Sequence, residues 1–366
     1  MANGTTGAGE TANDTISTAL SDVDGAAGRL IIAGRDVERW AETASFEDAC
    51  ALLWAAADGR PRSSVDIQKR LGAGRIEAWN RLGALGDALS ASDGMDALRA
   101  AVSHLRLGDA ADDAPARVTA AVAVYAAAWA RIRAGKAPVA PDPSLGHAED
   151  YLRMITGSAP SAAAVRGMST YLVTVSDHGM NASTFTARVV ASTNSDIVSS
   201  VVGSIGALKG PLHGGAPGPV LDMLDAIGDP SRAESFIASE LAAGRRIMGM
   251  GHRIYRVRDP RAQVLEKATL ALIDAGLRTE RLALARAVER VAKSALAAKY
   301  PDRKLEANVE FYTAVLLDAI GLPRESFTPT FAVGRVAGWC AHIAEQRDKG
   351  RLIRPSSVYV GNVKVD

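Results

Sequence analysis

Three histidines lie in glycine-rich segments that interrupt helical patterns. They are His178 in SDHGMN, His213 in KGPLHGGAPG and His252 in MGMGHRIYRVRDPR. Glycine lets the backbone approach a bound molecule closely, so this shared setting favours a ligand site over three separate structural roles. Histidine there could donate hydrogen bonds or transfer protons. A zinc site with three histidine ligands is the alternative, although no HExxH motif supports it. The remaining histidines lack such a setting, and we interpret them as structural: His104, His147 and His342.

One acidic residue stands in an otherwise apolar helical pattern. The segment NVEFYTAVLLDAIGLP, residues 308–323, has apolar residues at helical spacing and ends at Gly321 and Pro323. Glu310 falls in the first turn, between Val309 and Phe311. The pattern alone leaves two interpretations open, a carboxylate that complements the helix dipole and a catalytic base.

The arginines indicate an anionic substrate. Arg335 lies within TFAVGRVAGWCAHIAEQ, flanked by Gly334 and Gly338, where a buried guanidinium is costly unless it meets an anion. Arg261 follows a DP pair that is suited to the start of a helix, and Arg354 precedes a proline in RLIRPSS. Guanidinium groups bind carboxylates as bidentate forks. Several of them together would suit a dicarboxylate.

The elements that position these residues are predicted to be helices. Segment after segment carries apolar residues at i, i+3 and i+4, including an alanine-rich helix over 115–134. Residues 161–210 predict two long buried helices, broken around 177–181. A capping box at Ser45 and Asp48 starts a helix that Gly59 and Pro61 end. Only residues 30–32 read as a strand, so the predicted fold is all-α with any β structure in short ribbons.

Composition limits the function classes. The 366 residues are 48% hydrophobic and 23% charged, with a net charge of +1, which favours neither a nucleic-acid nor a membrane partner. Cys50 and Cys340 show no paired spacing and no signal peptide is visible, so we expect a cytoplasmic protein. Residues 1–27 are rich in Gly, Thr, Asn and Asp, and we predict that they are mostly disordered.

Four of these segments resemble consecutive motifs of the citrate synthase family. They are DHGMNASTFTARVVAST, GALKGPLHGGAPGPVLDML, MGMGHRIYRVRDPRAQVL and NVEFYTAVLLDAIGLP, and they occur in the family's order. The segment around His252 is the most specific, because its histidine, its DPR and their spacing all match. The resemblance runs from about residue 28 to the end of the chain.

The resemblance implies an all-helical homodimer of two-domain subunits. Residues 28–216 and 326–366 would form a large helical domain, and residues 217–325 a smaller one that closes over the active site. The implied reaction condenses acetyl-CoA with oxaloacetate and then hydrolyses the citryl thioester. CoA would enter as a co-substrate, and no metal or redox cofactor is implied.

The resemblance also implies residue roles. His213 would polarise the thioester carbonyl, His252 would act as the acid at the ketone of oxaloacetate, and Glu310 stands at the position of the base. The implied oxaloacetate-binding residues are His178, Arg261, Arg335 and, from the other subunit, Arg354. The implied loop for the adenine end of CoA comprises Ile247, Gly249, Met250 and Gly251. Proton removal next to a thioester needs such a carboxylate beside a hydrogen-bond donor.

The sequence departs from the family pattern in two places, at Glu310 and in PLHGGAP, where many members have Asn after the Ala, and two alternative functions remain. The family usually has Asp where this chain has Glu310, which moves the carboxylate by about an ångström; a shift of that size can affect the rate strongly. We interpret Glu310 as a working base. The first alternative is a 2-methylcitrate synthase that uses propionyl-CoA, because an apolar pocket discriminates one methyl by only about 1–3 kcal/mol. The second is a catalytically silent paralogue that binds an acyl-CoA or dicarboxylate and regulates a partner.

Overall fold

The computed structural model describes residues 16–107, 113–214, 217–252, 254–255, 257–277 and 280–362. Residues 1–15 of the segment predicted to be disordered therefore lie outside the described part. For residues 16–27 that prediction is wrong, because they contain a strand and the fully buried Leu20. Burial of this leucine and the hydrogen bonds of the strand provide the stabilisation that composition alone did not reveal.

A small antiparallel sheet precedes the helices. Its strands are β1 (Ser21–Asp24), β2 (Arg29–Ile32) and β3 (Arg35–Asp36), in the order β1-β2-β3. Ser21 pairs with Ile32, and Ile31 pairs with Asp36. Leu30 and Ile32 of β2 are buried, which fits the predicted strand at residues 30–32.

The described residues otherwise form α-helices and short 3₁₀ turns, which confirms the all-α prediction. The helices are α1 (Val37–Trp40), α2 (Phe46–Asp58), α3 (Ser64–Asn80), α4 (Gly94–Ser103), α5 (Ala114–Arg133), α6 (His147–Thr156), α7 (Ala162–Val175), α8 (Ala182–Ala191), α9 (Ile197–Lys209), α10 (Pro217–Ile227), α11 (Ala233–Ala242), α12 (Pro260–Asp274), α13 (Glu280–Lys299), α14 (Val309–Ala319) and α15 (Phe327–Lys349). Within the described ranges, no helix has the length and apolar character needed to cross a membrane.

Helix α5 is the centre of the core. It is apolar on all sides, as expected of a fully enclosed helix, and nearly all of its residues from Ala116 to Ala130 are buried. Its alanines permit close approach of neighbours: a Cβ added to Gly74 of α3 would lie 2.9 Å from the Cβ of Ala120. Helices α3, α4, α6 and α15 all pack on α5.

The predicted start and end signals of α2 are confirmed. Ser45 Oγ accepts a hydrogen bond from the Asp48 backbone N–H at 3.1 Å, and the Asp48 carboxylate accepts one from the Ser45 backbone at 2.9 Å. Gly59 ends the helix with a φ of 75°, in the left-handed region that favours glycine.

The prediction of two long helices over residues 161–210 is wrong in one respect. The break at 177–181 is present, but the second stretch divides again into α8 and α9. Asn194 has a φ of 61°, and Asp196 caps α9 by accepting a hydrogen bond from the Ser199 N–H at 2.8 Å. Asparagine tolerates the left-handed region and aspartate is a strong N-cap, so the apolar periodicity concealed a turn.

Candidate active site

Glu310 lies in the first turn of α14, as predicted. Asn308 caps this helix, its side-chain oxygen accepting a hydrogen bond from Phe311 N–H at 3.3 Å. The Glu310 side chain is half-buried, and its Oε2 atom is removed from solvent with no hydrogen-bond partner among the described residues. Burial raises the pKa of this carboxyl, while the nearby charge of Arg261 opposes the rise. A carboxylate with an unused buried oxygen and a raised pKa is suited to accept a proton.

The loop at residues 247–251 is fastened to the entry of α14. Gly251 N–H donates to the Glu306 carbonyl at 2.7 Å, and Asn308 N–H donates to the Gly249 carbonyl at 3.0 Å. The Asn308 side chain adds a hydrogen bond to the Gly251 carbonyl at 3.0 Å. Met250 pairs with Ala307 in an isolated β-bridge. The predicted CoA loop and the helix that carries Glu310 therefore form one unit.

This loop requires glycine at two positions. Gly249 has a φ of 74° and Gly251 a φ of 86°, both in the region that side chains rarely adopt. A Cβ on Gly249 would lie 2.8 Å from Phe311 Cδ2, and one on Gly251 would lie 2.9 Å from Leu305 Cδ2. Ile247, the first residue of the loop, is buried.

The hydrogen bonds of His252 determine its tautomer. Its Nδ1 accepts from the backbone N–H groups of Ile254 at 2.9 Å and Tyr255 at 3.1 Å. In the neutral ring Nε2 therefore carries the proton. That nitrogen lies 4.0 Å from Asp259 Oδ2 and 3.3 Å from Arg261 Nη2. A guanidinium nitrogen only donates, so with the proton on Nε2 the Nη2 group gives its hydrogen bond to Asp259 Oδ2, at 2.8 Å, and not to His252. His252 thus presents an N–H donor beside a fixed cation.

The opposite tautomer is set at His213, in the turn after α9. Its Nε2 lies 2.8 Å from Ser183 Oγ and 3.3 Å from the Ser183 backbone N–H, which donates to it. Trp339 Nε1 donates to the same hydroxyl at 3.1 Å. Because Nε2 is the acceptor, Nδ1 carries the proton in the neutral ring. His213 is thereby held as a donor through Nδ1.

Burial keeps both of these histidines neutral. It lowers the pKa of His213 to about 4, with further lowering by the charges of Arg335 and Arg261. It likewise lowers the pKa of His252 to about 4, where Arg261 adds to the effect and Asp259 opposes it. A neutral imidazole can donate one hydrogen bond to a developing negative charge without first losing a proton.

His178 is next to His252. Its Nε2 lies 3.0 Å from the Tyr255 hydroxyl, and its ring centre is 6.0 Å from that of His252. Burial lowers the pKa of His178 well below the usual value, and the charges of Arg261 and Arg335 act in the same direction. Both cations therefore lie within electrostatic reach of the histidines.

Arg335 is buried, as the sequence predicted from its two flanking glycines. A Cβ on Gly334 would lie 2.5 Å from Val175 Cγ2, and one on Gly338 would lie 2.2 Å from the Ser176 carbonyl, so both glycines let α15 meet the end of α7. Arg335 Nε donates to the Val175 carbonyl at 2.6 Å, and its guanidinium lies 4.8 Å from the centre of the Phe331 ring. Among the described residues, this is the one hydrogen bond of the guanidinium, which leaves both Nη groups for a ligand.

Arg261 is held by a carboxylate that the sequence analysis did not single out. Asp259 caps α12 and accepts hydrogen bonds from Arg261 Nε at 3.1 Å and Nη2 at 2.8 Å. Asp259 also accepts from Val309 N–H at 3.2 Å, which ties α12 to the start of α14. Burial alone would lower the pKa of Arg261, but Asp259 outweighs it and the pKa is raised.

Arg354 is not part of this cluster within one chain. It is exposed on the C-terminal segment and lines a cleft of about 820 Å³ between the two terminal segments. No other predicted site residue lines that cleft. The assignment of Arg354 to the site of another subunit stays a prediction.

Sequence reasoning missed four neighbours of the predicted residues: Ser183, Tyr255, Asp259 and Trp339. All four lie inside sequence segments given above, and Tyr255 and Asp259 both belong to YRVRDPR. Neither their residue types nor their spacing indicated that they contact the predicted site residues. No group of three His, Cys, Asp or Glu that could hold a metal occurs in the described part of the chain.

Comparison with known proteins decides the family. The family model described as "Citrate synthase, C-terminal domain" matches residues 10–356. The citrate synthase of Deinococcus radiodurans is 37% identical over 93% of this chain and 92% of its own length. The chain belongs to the citrate synthase family. It is therefore an acyltransferase of the type that condenses an acyl-CoA with oxaloacetate, converting the acyl group to an alkyl group on transfer.

Other members of the family are comparably similar. The 2-methylcitrate synthase of Mycobacterium tuberculosis is 36% identical over 94% of this chain and 88% of its own length. Among solved structures, the citrate synthase of Thermotoga maritima has a TM-score of 0.82 and 31% identity, covering 98% of this chain and 97% of that one. The citrate synthase of Thermoplasma acidophilum, solved with carboxymethyl coenzyme A and oxaloacetate, has a TM-score of 0.84 and 26% identity, covering 97% and 96%.

Proposed function

We propose that this member of the family uses acetyl-CoA as its acyl donor and Glu310 as its base. The observation that carries the proposal is the buried, unpartnered Oε2 of Glu310, whose carboxyl lies within reach of the charges of Arg261 and Arg335, the same two cations that help to keep His213 neutral. Glu310 would remove a proton from the acetyl methyl group. The electron pair moves toward the thioester oxygen, where Nδ1–H of His213 stabilises the enolate.

The second half of the reaction uses the other donor. The enolate carbon attacks the ketone carbon of oxaloacetate and forms the new C–C bond. Nε2–H of His252 then gives its proton to the ketone oxygen as that oxygen becomes a hydroxyl, and the proton that Glu310 removed from the methyl group restores the neutral imidazole. Water finally cleaves the citryl thioester and releases CoA as its thiol. Arg261 would attract the substrate carboxylates, Arg335 has both Nη groups open to them, and His178 lies within electrostatic reach of both cations.

Closure of residues 217–325 over the site is part of the proposal. Glu310, His252, Arg261 and the CoA loop lie within that range, whereas His178, His213 and Arg335 lie outside it. The base and the enolate donor thus belong to different parts of the chain. Closure would bring them together only when both substrates are bound, which would protect the thioester from premature hydrolysis.

Propionyl-CoA is the second candidate donor. The chain is about as similar to a 2-methylcitrate synthase, at 36% identity, as to the citrate synthase at 37%. One methyl group is worth only about 1–3 kcal/mol of discrimination in an apolar pocket. Glu310 has one methylene more than aspartate, and this brings its carboxylate further into the pocket, which favours the smaller acyl group.

A thiol-release assay with oxaloacetate and acetyl-, propionyl- or butyryl-CoA tests the donor. We expect the highest kcat/KM with acetyl-CoA, by about tenfold or more over propionyl-CoA. The reverse order would establish a 2-methylcitrate synthase. Absence of thiol release with all three esters, from folded protein that binds oxaloacetate, would favour the regulatory alternative.

We further propose a homodimer in which Arg354 completes the site of the partner. Its exposed, extended segment supports this, since Arg354 meets no predicted site residue of its own chain. Mixing inactive Arg354→Ala subunits with inactive Arg335→Ala subunits should restore activity, because half of the sites in a mixed dimer would be intact. Inactivity of every mixture after verified subunit exchange would refute shared sites.

A further inference from the structure

A row of buried polar side chains begins beside His178. Asp177, the preceding residue, is fully buried, and its Oδ1 lies 3.2 Å from His342 Nε2. His342 lies on α15 and is also fully buried. On its other side, His342 Nδ1 accepts a hydrogen bond from Arg188 Nε of α8 at 2.8 Å. The row Asp177–His342–Arg188 joins three elements of the core, and we call it the buried relay.

The hydrogen bonds of the buried relay show which of its groups donate and which accept. Because His342 Nδ1 is an acceptor, the neutral ring carries its proton on Nε2. Nε2–H therefore donates to Asp177. Burial alone would raise the pKa of Asp177, but the contact with His342 and the charge of Arg335 bring it below the usual value. Asp177 is thus an ionised carboxylate held in place by His342.

The far end of the relay is anchored by the N-terminal segment. Arg188 pairs with Glu345, and its Nη1 donates to Gln346 Oε1 at 3.0 Å. Glu345 in turn accepts from the Thr18 hydroxyl and from Ala19 N–H, each at 2.8 Å. These residues, which composition predicted to be disordered, are part of the support.

A second contact from the same segment reaches the His178 loop directly. Gly179 N–H donates to Ser21 Oγ at 3.0 Å. The same hydroxyl also helps to lower the pKa of Asp177. On the opposite side, α15 packs against Asp177, since a Cβ on Gly338 would lie 3.0 Å from Asp177 Oδ1. The loop carrying His178 is therefore held on both sides. Its contact on α15, Gly338, lies three residues after Arg335 in the same helix.

We propose that His342 and Asp177 are positioning residues for the oxaloacetate pocket. Through them Arg188 and the N-terminal segment hold the His178 loop and set the charge that faces Arg335. The attraction is mutual, because the charge of Asp177 raises the pKa of Arg335 against the larger lowering by burial. This inference rests on the proposed role of His178 and Arg335 in binding oxaloacetate.

A second buried arginine–histidine pair provides a matched control. Arg75 Nη1 lies 3.3 Å from Nδ1 of His147, and both side chains are fully buried. Arg75 pairs with Asp150 at 2.7 Å and holds the Asp142 and Leu145 carbonyls. In the described part of the chain, none of these residues makes a hydrogen bond or ion pair with a predicted site residue. A purely structural role for His342 would make its substitution behave like that of His147.

Substitution of His342 by asparagine tests the relay. Asparagine retains an acceptor for Arg188 but is too short to donate to Asp177, whereas glutamine in the same position reaches Asp177 with its amide N–H. We expect His342→Asn to raise the KM for oxaloacetate by about tenfold, as for loss of a hydrogen bond to a charged group, with a much smaller change in kcat. His342→Gln should recover most of the parental KM.

The control separates positioning from stability. His147→Asn should lower the unfolding midpoint to a similar extent but leave the KM for oxaloacetate within about twofold of the parent. A parental KM in folded His342→Asn, or a KM in His342→Gln that is no better than in His342→Asn, would overturn the proposal. Failure of the proposed function is distinguishable, because it would appear in the parent as absence of oxaloacetate-dependent thiol release.

Ser21→Ala keeps the proposal testable if the buried substitutions prevent folding. It removes one partly exposed hydroxyl beside Gly179 and Asp177 and leaves the contacts of His342 with Asp177 and Arg188 in place. We expect it to raise the KM for oxaloacetate by about threefold, because one neutral hydrogen bond to the His178 loop is lost. An unchanged KM in this variant would contradict the support assigned to the N-terminal segment.

Discussion

Ser183 directs two groups at a single nitrogen of His213. Its hydroxyl lies 2.8 Å from Nε2 and its backbone N–H donates to the same atom at 3.3 Å. Trp339 holds the hydroxyl in turn, at 3.1 Å. The remaining ring nitrogen of His213 is left with the proton, which is the arrangement that an enolate donor needs.

Ser183→Ala should therefore lower kcat more than it changes substrate binding. The alanine removes the hydroxyl that lies against Nε2 and also bonds to Asn181 Oδ1 at 2.9 Å, so the ring is freed to adopt the other tautomer. We expect kcat to fall by about a hundredfold, as on loss of a donor to a developing oxyanion, with oxaloacetate binding retained. Ser204→Ala is the control, because Ser204 is equally buried and its hydroxyl, among the described residues, bonds only to the Ser200 carbonyl of the same helix. Equal kcat values for the two variants would contradict the tautomer assignment.

The predicted CoA loop should not tolerate a side chain at residue 249. Gly249→Ala combines a left-handed φ with contacts of 2.8 Å to Phe311 and 3.0 Å to Val220. We expect the KM for the acyl-CoA to rise about tenfold and the free energy of unfolding to fall by about 2–4 kcal/mol. Gly244→Ala has a φ of 71° but no atom within 4 Å of the new Cβ, so it should cost only about 1–2 kcal/mol. An unchanged KM for the acyl-CoA in Gly249→Ala would show that the loop does not take part in CoA binding.

Acidification should destabilise the fold through its neutral histidines. The pKa of His213 and of His252 is about 4, against 6.5 in an unfolded chain. Their contribution to stability is complete above pH 6.5 and is lost as the pH falls toward 4, because the unfolded chain binds protons first. The loss is up to about 3 kcal/mol per histidine. Between pH 7.5 and pH 5, the urea midpoint of unfolding should fall less steeply for His252→Gln than for the parent. Parallel plots of midpoint against pH would contradict the lowered pKa of His252.

The sequence was a good guide to elements whose signals are local. Ser45, Asp48 and Gly59 predict α2 because capping and left-handed termination depend on neighbouring residues. Glycine on both sides of Arg335 predicted its burial for a similar reason. The four family motifs carried the three histidines, Arg261 and Glu310 together, whereas Arg335 and Arg354 lie in later segments; the fold brings Arg335 to the histidines but not Arg354.

Contacts between residues that are far apart in the chain could not be predicted from the sequence. His213 and Ser183 are 30 residues apart, Trp339 and Ser183 are 156 apart, and nothing in the local pattern pairs them. The same is true of Thr18, whose order depends on Glu345, 327 residues away. The turn at Asn194 was missed because apolar periodicity continues through it on both sides.

The length of residue 310 is a separate test of how the pocket is built. Glu310→Asp withdraws the carboxylate by about an ångström from the acyl carbon, so we expect kcat to fall by about tenfold to a hundredfold. Thiol release at saturating oxaloacetate measures it. An aspartate variant faster than the parent would show that the pocket is shaped for the shorter side chain that is usual in the family.

Glu310→Gln tests the central claim most directly. The amide retains the size of the side chain but cannot accept the α-proton at neutral pH. We predict that oxaloacetate-dependent thiol release falls by about a thousandfold, together with deuterium exchange into the acetyl methyl group, while oxaloacetate still binds. Thiol release at the parental rate from the folded glutamine variant would show that Glu310 is not the base.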